Sequence, residues 1–234
     1  DASRMLRVAI LNCDFIKKEF AETYGQYPEM FRHIIKKSGL TFFYESFNIL
    51  DFDYPTSLND FDLYLITGSK ASVYDNEEWI LNLFEFVRSL NIAKKNILGF
   101  CFGHQVIAQA LGGQVQKHPQ GWHVGANELV TSDPAFNTSY QLLFSHQDQV
   151  IKLPKRAKLI GSAKECKFCL MKIDNHILST QAHIELSNKY ASELYESRKE
   201  LIGNEKYCAA INSMKQELDT QQFTNDVFTF FLNQ

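Results

Sequence analysis

Two rhythms of apolar residues run through the first half of the chain. Arg7 to Cys13 is a short apolar run that closes on polar residues, as a buried first strand does. Tyr27 to Ser38 then carries Met30, Phe31, Ile34 and Ile35 at helical spacing, with Gly39 behind it as a natural C-cap. Thr41 to Phe47 and Phe61 to Thr67 read as further strands, the latter running into Gly68-Ser69. Glu77 to Leu90 is an amphipathic helix with Trp79, Ile80, Leu83, Phe84 and Val87 on one face. Asn96 to Cys101 is another buried strand, and Gly103 to Leu111 a helix closed by Gly112-Gly113. Residues 114–180 change texture. Short alternating runs follow one another there: Val124 to Thr131, Lys158 to Ala163, Cys166 to Ile173 and His176 to Thr180, with a hairpin-like turn at Asp174-Asn175. From Ser187 onward the pattern predicts two helices. Strands alternating with helices predict an α/β fold: a doubly wound, mostly parallel sheet with helices on both faces, and some antiparallel strands in the second half. No repeat or linker interrupts residues 1–234, so one domain is expected.

Composition changes little in this picture. Hydrophobic residues make up 45% and charged residues 22%, ordinary for a globular protein, and the formal net charge is -3. A nucleic acid or an anionic membrane would call for a basic stripe, so neither is expected as a partner. Asp1 to Arg7 is polar and Val8 to Leu11 is too short for a signal-peptide core. The five cysteines are odd in number and scattered, which suggests free thiols in a reducing compartment, hence the cytoplasm.

One of those cysteines stands apart. Gly99-Phe-Cys-Phe-Gly103 lies between a buried strand and a helix, the Gly-x-nucleophile-x-Gly pattern of a nucleophile elbow. A sharp strand-to-helix turn needs small neighbours on either side. It projects the Cys101 side chain from the carboxyl end of the sheet, over a helix N-terminus that stabilises a thiolate. The N–H of Phe102 then points to where an oxyanion would form. A thiolate nucleophile needs a base, usually a histidine, held by a third group. Of seven histidines, His183 follows a strand that would end at the same sheet edge, and Glu185 stands two residues on.

These stretches resemble a known family. Gly99-Phe-Cys-Phe-Gly-His-Gln105 resembles the nucleophile motif of class I glutamine amidotransferases, and Thr180-Gln-Ala-His-Ile-Glu185 their late Gln-x-His-Pro-Glu motif. Phe144-Ser-His-Gln-Asp148 is similar to the family's Ser-His-x-Asp loop, and Ile66-Thr-Gly-Ser69 to the turn that provides a second oxyanion-hole amide. The motifs occur in the family's order across roughly residues 7–186, and the whole resembles the glutaminase domain of GMP synthases standing alone. The resemblance implies a flavodoxin-like fold, Cys101 as nucleophile, His183 as base and acid, and Glu185 as its orienter. It implies an oxyanion hole from the backbone N–H groups of Gly68 and Phe102. Gln105 and the segment Ser145, His146, Gln147 and Asp148 would contact the substrate's α-amino and carboxylate groups, and His104 would be a structural hydrogen-bonder. Three residues depart from the family pattern: Ile184 replaces a usual Pro, Ala182 an aromatic or bulky apolar residue, and Ser179 a frequent Gly.

The chemistry implied is hydrolysis of a γ-glutamyl amide, of glutamine or a related compound, through a thioester on Cys101, with no metal or other cofactor. A glutaminase subunit feeding ammonia to a separate synthetase chain, and a non-catalytic binding module on the same fold, are the alternatives. No nucleotide-binding motif is present, so a synthetase activity would have to come from another chain. Cys166-x-x-Cys169 invites a zinc reading, but no second pair accompanies it, and a spacing of three puts the two on opposite strand faces. Cys13 reads as packing and Cys208 as part of the C-terminal helical region. His33, His118, His123 and His176 read as surface or satisfied polar groups.

Overall fold

The computed structural model describes residues 5–233, so the polar start read at residues 1–4 lies outside the described residues. The first apolar run is strand β1 (Leu6–Asn12), flanked in parallel by β2 (Phe42–Asn48) and β3 (Leu63–Ile66). Strands β4 (Asn96–Phe100) and β11 (Ile177–Thr180) continue the parallel set. Beyond β11 the sheet turns antiparallel through β10 (Cys166–Ile173), β9 (Ala157–Ala163), β6 (His123–Thr131) and β7 (Ser139–His146). The order is β2-β1-β3-β4-β11-β10-β9-β6-β7, with β5 (Gln114–Lys117) and β8 (Asp148–Lys152) paired separately.

Side-chain alternation along the strands feeds two cores. On β1, Ala9 and Leu11 join α3 (Glu78–Ile92) and α4 (Phe102–Ala110) on one face. Val8 and Ile10 join α2 (Tyr27–Lys37) and α8 (Thr220–Leu232) on the other. These side chains are fully buried, and Val8, Ile10 and Leu11 are each worth roughly 1.5–3 kcal/mol relative to exposure. This is the α/β sheet with helices on both faces that the periodicities predict. No helix among the described residues is long and apolar enough to cross a membrane.

Several expectations change. The tail after Ser187 holds four helical segments rather than two: α5 (Asn188–Ser197), α6 (Lys199–Ile202), α7 (Asn204–Ser213) and α8. Arg198 leaves helical geometry at φ -107°, ψ 9°, and Gly203 turns the chain at φ 93°, so the run cannot continue. Helix α1 (Lys18–Tyr24) has no counterpart among the elements read from the periodicity because it is short and packs only Phe20 and Tyr24, both half-buried, against the core. The Phe144 to Asp148 motif is not a loop but the end of β7 and the start of β8. Cys166 and Cys169 lie on one face, not two, because a β-bulge shifts the register between Cys166 and Leu170. Among the described residues no group of three or more His, Cys, Asp or Glu could hold a metal ion.

The carboxyl ends of β3, β4 and β11 lie side by side, with Ile66 opposite Gly99 and Thr180 opposite Phe100. The segments that follow them bring Gly68, Cys101 and His183 to one sheet edge, where ligands bind in open α/β sheets.

Candidate active site

Cys101 sits between β4 and α4 with φ 53° and ψ -108°, a region that non-glycine residues rarely occupy. Its neighbours explain how the turn is tolerated. A methyl group on Gly99 would lie 2.7 Å from the Gly103 backbone, and one on Gly103 only 2.3 Å from the Ile66 carbonyl oxygen. Both positions therefore require glycine, and α4 rests directly on the end of β3. Cys101 N–H donates to the Thr180 carbonyl at 3.0 Å, tying the turn to β11.

His183 is buried beside Cys101. Its Nδ1 bonds Oε2 of Glu185 at 2.8 Å and Oε1 at 3.1 Å. Its Nε2 is buried without a hydrogen-bond partner. Burial works to lower the His183 pKa, but Glu185 and Cys101 outweigh it and hold the imidazole well above its ordinary value. The backbone fixes the ring as well: His183 N–H donates to the Leu143 carbonyl at 2.9 Å, an isolated bridge to β7. The departures from the family pattern find their places here. Ile184 and Ala182 pack in the core against α2 and α8, and the Ser179 hydroxyl bonds His104 Nδ1 at 2.6 Å.

The two expected oxyanion donors are both available. Neither the Gly68 nor the Phe102 N–H has a hydrogen-bond partner among the described residues. Thr67 holds the Gly68 turn by accepting from Cys13 N–H at 2.9 Å and donating to the Gly68 carbonyl at 3.0 Å. Cys13 thus packs, as expected, and also anchors this turn.

A cleft of about 410 Å³ opens over the thiol, and Gln105, Ser145, His146, Gln147 and Asp148 all line it with Cys101 and His183. Their polar atoms are partly spent within the protein. Gln105 Nε2 donates to the Asp148 carbonyl at 2.9 Å and to Gln181 Oε1 at 3.1 Å. The Asp148 carboxylate accepts from Ser72 and Tyr74, each at 2.6 Å. His146 Nδ1 donates to the Asp148 carbonyl at 2.8 Å, so its Nε2 must accept from His123 Nδ1, also at 2.8 Å. His123 is therefore a buried network member with a bare, unpartnered Nε2, not the satisfied polar group expected.

Sequence reasoning missed other groups in the cleft. Gln181 lies inside the recognised motif and places Nε2 3.4 Å from the Cys101 sulfur. Arg198 donates to Ser145 Oγ at 3.1 Å and lies over the Trp122 ring at 5.6 Å. Tyr27 also lines the cleft. No local pattern announced Arg198, Trp122 or Tyr27.

The buried histidines predict acid sensitivity. Burial depresses His104 and His123 to about 4, and pushes His146 well below its usual value. The unfolded imidazoles take up protons near 6.5, so the unfolded state binds more protons between about 4 and 6.5. Stability is complete above that window and falls as pH drops through it, by on the order of 2 kcal/mol at pH 5 for His104 and for His123, with His146 acting in the same direction. His183 acts in the opposite sense, one ring against three. The urea midpoint is expected to fall clearly between pH 7 and pH 5; an unchanged midpoint would contradict the neutral network.

Comparison with known proteins follows the same lines. The family model for glutamine amidotransferase class-I matches residues 20–199. Gamma-glutamyl peptidase 3 of Arabidopsis thaliana is 28% identical over 204 residues, covering 82% of this chain and 80% of that protein. The glutamine-hydrolyzing GMP synthase subunit of Sulfolobus acidocaldarius is 28% identical over 169 residues, covering 70% of this chain and 86% of that one. A crystal structure of a glutamine amidotransferase from Methylobacillus flagellatus shares the fold, with a TM-score of 0.75 at 16% identity over 98% of this chain and 95% of that one.

Proposed function

This chain belongs to the glutamine amidotransferase class-I family, and from that premise we propose that it hydrolyses γ-glutamyl amide bonds through a thioester on Cys101. The observation that carries this reading is the strained Cys101 set beside two unpartnered backbone amides and a His183 braced by Glu185. The Cys101 sulfur attacks the γ-carbonyl. The oxyanion rests against the N–H groups of Gly68 and Phe102. The raised His183 pKa favours a proton on Nε2, ready for the leaving amine. Once the amine departs, His183 takes a proton from water, which attacks the thioester and releases glutamate.

The cleft supports an amine larger than ammonia. It extends past the thiol to Phe15, Trp122, Leu194 and Leu201, more room than a single amino acid needs. Arg198, which lines it, suits a carboxylate. Similarity to a gamma-glutamyl peptidase points the same way. The test is release of glutamate from glutamine, glutathione and γ-glutamyl dipeptides by the purified protein. The peptides are expected to turn over faster than glutamine, and no glutamate from any of them would overturn the reading.

Similarity to a glutamine-hydrolyzing GMP synthase subunit favours a second reading, a glutaminase chain serving a separate synthetase. Its signature would be weak hydrolysis of glutamine by the chain alone, rising when a partner docks.

A further inference from the structure

The mechanism above gives no task to a phenol that stands at the reacting centre. Tyr27 begins α2, and Pro28 behind it pins the first turn of that helix. Its ring packs against the core formed by α2 and α8, and also against residues of the α5 to α7 layer. Gln26, just before it, ties the segment down: its side-chain amide accepts from Ile16 N–H at 2.6 Å and donates to the Ile16 carbonyl at 3.2 Å. The ring is therefore held from several sides. The hydroxyl, by contrast, has no hydrogen-bond partner among the described residues, whereas Tyr24, Tyr64, Tyr140 and Tyr195 each donate theirs to a named oxygen.

Gly68 shows where that hydroxyl points. A methyl group on its α-carbon would lie 3.5 Å from the Tyr27 hydroxyl oxygen, 3.6 Å from Cε1 of His183 and 3.8 Å from Cβ of Cys101. Phenol, imidazole and thiol-bearing carbon thus converge on one point beside the oxyanion donor Gly68. Tyr27 also lines the same cleft as Cys101 and His183. Burial, with Glu185, Asp14 and Cys101 nearby, raises the phenol pKa well above its usual value, so the group stays protonated.

We propose that the Tyr27 hydroxyl is a catalytic group that holds first the departing amine and then the attacking water against His183. The inference rests on the γ-glutamyl hydrolysis proposed above. In acylation the C–S bond forms, the C–N bond breaks, and the proton on His183 Nε2 passes to the nitrogen. The nitrogen lone pair must face that proton. An acceptor for the amine's own N–H, the Tyr27 oxygen, sets this orientation. In deacylation water takes the same place. It gives one proton to His183, directs its other O–H to Tyr27, and its oxygen bonds to the acyl carbon as the C–S bond breaks. Tyr27 keeps its own proton throughout.

The test compares wild type with Tyr27→Phe, which removes one oxygen and keeps the ring. Two rates are measured: hydrolysis of a γ-glutamyl dipeptide, and alkylation of Cys101 by a chloroketone analogue of glutamine. In the second reaction chloride leaves, so neither a departing amine nor an attacking water is involved. Hydrolysis is expected to fall about 10- to 100-fold while alkylation stays within about twofold. Hydrolysis within about twofold of wild type would overturn the proposal. An equal fall in both rates would do so too, since it would mean that the phenol merely places the Cys101–His183 pair. Failure of the variant to fold would also contradict it, because the hydroxyl would then hold structure. Wild type that neither hydrolyses the dipeptide nor reacts at Cys101 would instead remove the underlying reading of the site.

Discussion

Replacement of Cys101 by Ala is expected to abolish γ-glutamyl hydrolysis, a loss on the order of 10⁴-fold or more, while the fold remains intact. The size follows from the role. In the proposed mechanism Cys101 forms the bond that divides the reaction into two steps, and no other thiol is placed to substitute. Cys13 is buried in the core against α3 and α4, Cys166 and Cys169 in the core against α2 and α8, and Cys208 is exposed on α7. The stability cost should be small. The Cys101 sulfur makes only weak hydrogen bonds, to the Ser145 carbonyl at 3.8 Å and from Gln181 Nε2 at 3.4 Å. Alanine also relaxes nothing in the backbone, because the φ of 53° is imposed by the turn. Comparison of thermal melts and glutamate release for the two proteins checks both halves of this expectation.

The second large effect comes from a residue that touches no substrate. Gly103→Ala would put a methyl group 2.3 Å from the Ile66 carbonyl oxygen and 2.9 Å from the Ile66 carbonyl carbon and Cβ. These are atoms of a central strand, and most of them are backbone, so α4 must move away from β3. That movement separates Phe102 from Gly68, the two expected oxyanion donors, and tilts the turn that carries Cys101. Overpacking of this kind costs about 1–3 kcal/mol. Misplacing the oxyanion donors should cost a further ~10²- to 10³-fold in rate. The urea midpoint and the rate should fall together. A variant with normal values for both would mean that the close packing of α4 on β3 does not set the site.

How much of this was legible beforehand depended on how local each signal was. The elbow was legible because its requirement is written in adjacent residues: Gly99 and Gly103 are the positions where a methyl group would strike the neighbouring backbone. His183 and Glu185 were legible as a short pair after a strand, and the structure joins them at 2.8 Å. The alternating faces of β1 and the apolar stripe of α2 located the two cores. What escaped notice had no local signature. Helix α1 is short and packs only Phe20 and Tyr24, both half-buried, so its periodic trace is faint. The bulge that puts Cys166 and Cys169 on one face follows from pairing with β9, not from the strand's own residues. Tyr27 and Arg198 reach the cleft from α2 and from the end of α5, far in sequence from Cys101. Their convergence is a property of tertiary packing alone.

The departures at Ser179, Ala182 and Ile184 illustrate the same distinction. From the sequence they were only deviations from a motif. In the fold, Ser179 supports His104 from β11, while Ala182 and Ile184 complete the core beneath the His183 loop. That loop is held by the bond from His183 N–H to Leu143, so it does not depend on a proline for its position.

The central claim is the covalent step at sulfur, and rapid acid quench during turnover of a γ-glutamyl dipeptide tests it most directly. Peptide mass mapping should find a γ-glutamyl group on Cys101, removable with hydroxylamine and absent from Cys101→Ala. Undiminished turnover by Cys101→Ala, or an acyl group carried by another residue, would contradict the account.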